Sequence, residues 1–178
     1  RYKRLIGRLR TEGGEFGIVL AQDGRVHDCG CMAVLTAVLE EFEDGRLNIV
    51  IEGKRRFRIL QIHEPKDPEV ECIEADVESY DDVEHGSLSS RDVAVGAYVE
   101  LLRLMGADPP QVPSGHVPLS FRLAASIDFG ARVKQAMLES LSEDERLTRL
   151  TAVIRALLPR IEEQRKRAEV IRGNGKGM

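Results

Sequence analysis

The period of the hydrophobic pattern changes once along the chain, near residue 85. Before that point, apolar and polar positions alternate in short runs, as they do in half-buried strands. Residues 16–20, 29–42, 47–51, 56–63 and 70–80 are the strand candidates, and Gly53 is expected to break the third from the fourth. Asp23-Gly24 and Asp44-Gly45 fall between candidates and are turn signals of the kind that close hairpins. Ahead of the strands, Tyr2, Leu5, Ile6 and Leu9 recur at helical spacing among five basic residues, and Gly13-Gly14 ends that short helix.

Beyond residue 85 the spacing becomes helical. Ser89 to Asp92 resembles a capping box, and Val93, Ala94, Ala97, Tyr98, Leu101, Leu102 and Met105 form a stripe that stops at Gly106. Four of the seven prolines lie in residues 106–118, so that stretch is read as a stiff loop. Leu119, Leu123, Ala124 and Ile127 mark one short helix; Val133, Ala136, Met137 and Leu138 mark another. Ser142-x-x-Glu145 is a full capping box ahead of a stripe at Leu147, Leu150, Ile154, Leu157 and Ile161. Pro159 is expected to kink or end that helix, and residues 173–178 are expected to be loose. The fold class is therefore α+β: antiparallel strands in residues 1–85, then helices in residues 86–178. The helix at 91–105 is apolar over much of its circumference, so it is expected to pack against both halves.

Composition narrows the function. The 178 residues carry a net charge of −4, with 42% hydrophobic and 31% charged residues, enough for one domain or two small packed subdomains. A dedicated nucleic-acid binder carries a basic excess that is missing here, so such a role needs a local patch. No apolar run approaches the roughly 18 residues of a membrane span, and no membrane partner is expected. Cys29, Cys31 and Cys72 are too few and too odd in number for a disulfide framework, which points to a reducing, cytoplasmic compartment. The first residue is Arg1 rather than Met, so the natural start is expected to lie upstream.

No catalytic, cofactor or metal constellation emerges. The four histidines sit apart, Cys29-x-Cys31 has no second ligand pair, and Ser114-Gly115-His116 lies in the proline-rich loop. Charge is segregated, however. Lys54, Arg55, Arg56 and Arg58 surround Phe57, whereas residues 69–84 hold eight acids and no cation. The basic strand reads either as an anion or RNA patch, or as a solvated strand face balanced by acidic neighbours. Few aromatics and no Trp argue against base stacking.

Several stretches together resemble the Lon N-terminal domain, the substrate-binding module of the ATP-dependent Lon protease. Arg1-Tyr2-x-x-Leu5 resembles the end of its EPRYR-L motif, residues 16–20 its FGIVL strand, and residues 30–33 its G-x-x-A strand start. Residues 44–49 followed by Gly53-x-x-Arg56-Phe57-Arg58-Ile59 resemble its DGR-x-x-I and G-x-x-RFRI core. Residues 119–125, 134–139 and Arg146-Leu147 resemble its helical half. The resemblance implies a PUA-like antiparallel β-barrel of about six strands followed by a helical bundle. It implies recognition of unfolded or misfolded polypeptides without catalysis or cofactor, by a stand-alone or excised domain, acting alone, as an oligomer or with a separate protease. The RNA-binding alternative uses Arg55 to Arg58. Two departures stand out. The family's apolar first strand is missing before Arg1-Tyr2, and its Pro-Tyr pair reads Pro68-Glu69. Within the RFRI piece, Phe57 and Ile59 are expected to face inward and Arg56 and Arg58 outward.

Overall fold

The computed structural model describes residues 2–65, 72–83, 86–108 and 111–174. In chain order the elements are α1 (Tyr2–Glu12), β1 (Glu15–Gln22), β2 (Arg25–Glu41), β3 (Leu47–His63), β4 (Glu74–Ser79), α2 (Leu88–Leu104), α3 (Leu119–Ala125), α4 (Ala131–Glu139) and α5 (Glu143–Asn174). They form two compact units, residues 1–81 and 82–178.

The first unit is a four-stranded antiparallel sheet in the order β1-β2-β3-β4, with α1 laid against β2. β1 and β2 are joined by the two-residue turn Asp23-Gly24, both at positive φ, the conformation that matches strand twist. The Asp44-Gly45 turn is wider: Glu41 pairs with Leu47, and the Asp44 carboxylate accepts from the Arg46 backbone N–H at 3.0 Å. Gly53 does not break the strand. It pairs with Ala33, and Lys54 and Arg55 then stand opposite the single residue Met32. This bulge absorbs the irregularity, so two expected strands become one of 17 residues. Two further register shifts lie between Leu35 and Ala37 and between Val38 and Glu40. Pairing of β1 with β4 is absent among the described residues, so the sheet has two edges there. The Pro68-Glu69 departure lies outside the described residues.

The second unit has one apolar cluster built from α2, α3, α4 and α5, with Ala94, Tyr98, Leu101, Leu123, Met137, Leu147, Leu150 and Ile154 at its centre. Leu102, in the predicted stripe of α2, and Val95, outside it, pack against this same cluster, whereas Val93 is exposed. The cap of α2 lies earlier than predicted: the Ser87 hydroxyl accepts from the Ser90 N–H. α5 runs through Pro159 instead of ending there. Pro159 and Arg155, the residue whose carbonyl loses its partner, are both exposed, so water can take the lost bond. Of the predicted loose tail, 173 and 174 belong to α5 and the rest lies outside the described residues.

Candidate functional site

The basic strand comes first, because its charges are the strongest local signal in the sequence. β3 places all four cations, and protein groups engage each of them. Lys54 pairs with Glu52 at 2.9 Å, and Arg55 reaches Glu15 on β1 at 2.7 Å. Arg56 and Arg58 both lie over the ring of Tyr80, with guanidinium carbons 5.4 and 4.7 Å from its centroid. Arg58 also donates to the Tyr80 hydroxyl at 3.0 Å. Arg56 is buried, contrary to the outward position expected from strict alternation. The Tyr80 ring offers it a cover that the sequence pattern does not reveal.

Phe57 is buried as expected, and Ile59 is half-buried. The ring of Phe57 explains why the separate sequence pieces belong together. Phe57 pairs with Gly30 across the ladder, and its ring lies over Gly30 and Gly17. A Cβ at Gly30 would stand 2.5 Å from the ring, 2.5 Å from the Ile18 carbonyl oxygen and 2.7 Å from a Val19 methyl. Three motifs on three strands thus form one packing unit, worth about 1.5–3 kcal/mol for the ring's burial. Its role is structural.

Away from that point the sheet keeps much apolar surface. Ten of the fifteen large apolar side chains exposed among the described residues lie in residues 1–81, including Leu60 at 62%, Ile62 at 49% and Val77 at 42%. The β3–β4 ladder brings Ile59 opposite Val77 and Ile62 opposite Ala75, so these four share one face.

The helical unit instead gathers charge at the start of α5. The Arg146 side chain is fully buried and grips Asp82 with both terminal nitrogens, at 2.7 and 2.5 Å. It also donates to Glu143 at 2.7 Å, to the Ser120 hydroxyl at 2.9 Å and to the Ser140 carbonyl at 2.9 Å, and lies 4.4 Å from the Phe121 centroid. Burial alone would push this guanidinium down, but Asp82 and Glu143 more than reverse it and hold it above its ordinary value. Glu143 accepts from the Ser120 N–H, and Val83 donates to the Leu141 carbonyl. Asp144 accepts from the Ser87 N–H at 2.7 Å and from the Ser90 hydroxyl, and these bonds hold its carboxyl below its ordinary value. Ser142 caps the helix by accepting from the Glu145 N–H at 3.2 Å. The Glu145 carboxylate turns to Ser140 at 2.6 Å, so only half of the predicted box forms. No buried side-chain nitrogen or oxygen among the described residues lacks a partner. The cluster is a satisfied clamp that ties Asp82, Val83, Ser87, α3 and the end of α4 to α5. Sequence reading notes Arg146 only within the resemblance and assigns it no role; the available signal is a basic residue one place before the apolar stripe, three after an acid.

The remaining candidates stay dispersed. Cys29 is buried, Cys31 and Cys72 are half-buried, and all three are free thiols. Burial pushes the Cys31 thiol up, away from the reactive thiolate. Ser114, Gly115 and His116 are exposed in the loop before α3, and Arg122 holds that loop by donating to the carbonyls of Pro113 and Val117. No cluster of three metal-ligating side chains and no helix long and apolar enough to cross a membrane occurs among the described residues.

The comparisons with known proteins agree with one another. Residues 1–156 match the family model described as the ATP-dependent protease La (LON) substrate-binding domain. A Lon N-terminal domain protein from Xanthomonas campestris is similar in structure, with a TM-score of 0.60 at 21% identity, over 85% of this chain and 83% of that one. The N-terminal domain of the Mycobacterium avium complex Lon protease is similar too, with a TM-score of 0.63 at 16% identity, over 86% and 83%. No curated protein matches the chain.

Proposed function

Because the chain belongs to the family of Lon substrate-binding domains, we propose that it is a non-catalytic polypeptide-recognition module that captures unfolded or degradation-bound protein segments on its sheet unit. The observation that carries this reading is the apolar surface left on the first unit: among the described residues, ten of the fifteen exposed large apolar side chains, against five of the sixteen buried apolar ones, fall in residues 1–81, and eight of those ten lie on its strands. Clustered exposure of that kind is the mark of a surface that binds something apolar. The two 17-residue strands with their bulges are suited to the coiled wall of a PUA-like barrel. The RNA alternative lacks comparable support, since Lys54, Arg55, Arg56 and Arg58 already engage Glu52, Glu15 and Tyr80.

Binding of a reduced, carboxymethylated globular protein, measured against its folded form and a charge-matched polar peptide, tests the reading. The unfolded form alone should bind. Replacing Leu60 and Ile62 by Ser should weaken that binding several-fold while changing stability by no more than about 0.5 kcal/mol. Equal binding of all three probes, or of none, would refute capture of unfolded chains.

A further inference from the structure

Among the described residues the sheet has two edges, β1 and β4, and β4 carries a side-chain pattern that selects what can lie beside it. The β1 edge is uncharged from Phe16 to Ala21 and discriminates little. β4 alternates. Its ladder with β3 sets Ala75 and Val77 on the face of Ile62 and Ile59, and sets Glu74, Asp76 and Glu78 opposite His63, Gln61 and Arg58. All three acids are exposed. The cations opposite do not neutralise the row. Arg58 is turned to Tyr80, and His63 meets only Asp76, at 3.0 Å. Glu74 and Glu78 hold no ion pair among the described residues.

We propose that β4 is a docking strand for an extended polypeptide segment in which basic and apolar residues alternate. This rests on the polypeptide-recognition reading above and names the class of segment preferred. A strand added beside β4 takes main-chain hydrogen bonds from its open edge, while alternate side chains fall on opposite faces. One set then lies beside Ala75 and Val77, and the other beside Glu74, Asp76 and Glu78. Apolar residues suit the first set and cations the second. A second copy of the chain is the wrong occupant, because β4 against β4 would bring carboxylates against carboxylates.

Fluorescence anisotropy with the full chain tests this, using a peptide of about eight residues that alternates lysine and valine. Two controls have the same composition, one with the lysines in a block and one with alternate amides N-methylated. The alternating peptide should bind about tenfold tighter than either control. The triple variant Glu74→Lys, Asp76→Lys, Glu78→Lys should lose about tenfold for it and gain for a glutamate–valine peptide, with an unchanged circular dichroism spectrum. Equal binding of the blocked or N-methylated peptide would reduce the effect to bulk charge and overturn strand addition, whether or not the variant folds. A dimer that the triple reversal disrupts would name a second copy as the occupant and overturn it too. If the triple variant still binds the carboxymethylated protein while peptide selectivity is absent, this edge is wrong and polypeptide recognition stands. If the unaltered chain binds no unfolded protein, the broader reading fails first.

Discussion

Among the described residues, those of 82–178 bury eleven apolar side chains and leave five large ones exposed, whereas those of 1–81 bury five and leave ten exposed. The same elementary rule gives both outcomes. Each helix of the second unit has one apolar stripe, and four helices can turn those stripes onto a single cluster. A four-stranded sheet has two faces and two edges, and among the described residues its buried apolar side chains are those of Phe57, Cys29 and Ala33, with Ile6 and Leu9 from α1. The helical unit uses its apolar residues to hold itself together. The sheet unit holds together through its ladder and one ring on two glycines, and leaves large apolar side chains exposed.

If the helical unit is self-contained, its most sensitive point is the buried charge cluster. Arg146→Met leaves Asp82 and Glu143 without their cation and should cost about 3–5 kcal/mol in urea unfolding. A loss below about 1 kcal/mol would mean that the clamp is incidental. On the sheet, Gly30→Ala pushes a methyl into Phe57 and the Ile18 carbonyl and should cost about 1–3 kcal/mol. An unchanged midpoint would remove the ring-on-glycine unit from the account. The smallest effect concerns pH. Asp144 titrates below its ordinary 3.8 in the folded chain, so it stabilises above that value, and the contribution fades as pH falls through the folded pKa. Asp144→Asn should therefore lower the melting temperature at neutral pH and converge with the unaltered chain in acid. A constant offset down to pH ~2 would show that the charge is irrelevant.

The legible parts of this fold were those set by local chemistry. Asp23-Gly24, the alternation around Phe57 and the stripe at Leu147, Leu150 and Ile154 each need only neighbours in sequence. The misread parts depend on distant partners. Gly53 reads as a breaker until its pairing with Ala33, and the bulge of Lys54 and Arg55 opposite Met32, carry the strand through. Arg56 reads as an outward cation until Tyr80 covers it. Pro159 reads as a kink or a stop; the helix does not stop there, and its lost hydrogen bond falls among exposed residues. Of the candidate site, the basic strand was visible and proved to be internally engaged. The acid-apolar alternation of β4 was visible only as a charge run, because its second row is defined by register with Ile59 and Ile62.

The central claim is that recognition belongs to the sheet unit. Amide hydrogen exchange of the whole chain, with and without a saturating carboxymethylated client, tests it most directly. Slowed exchange should appear in residues of the sheet, foremost along β4, while the amides of α2 and the buried stretch of α5 around Leu147 to Ile154 stay as they were. Protection confined to the helices, or no change anywhere while the client is bound, would contradict the account.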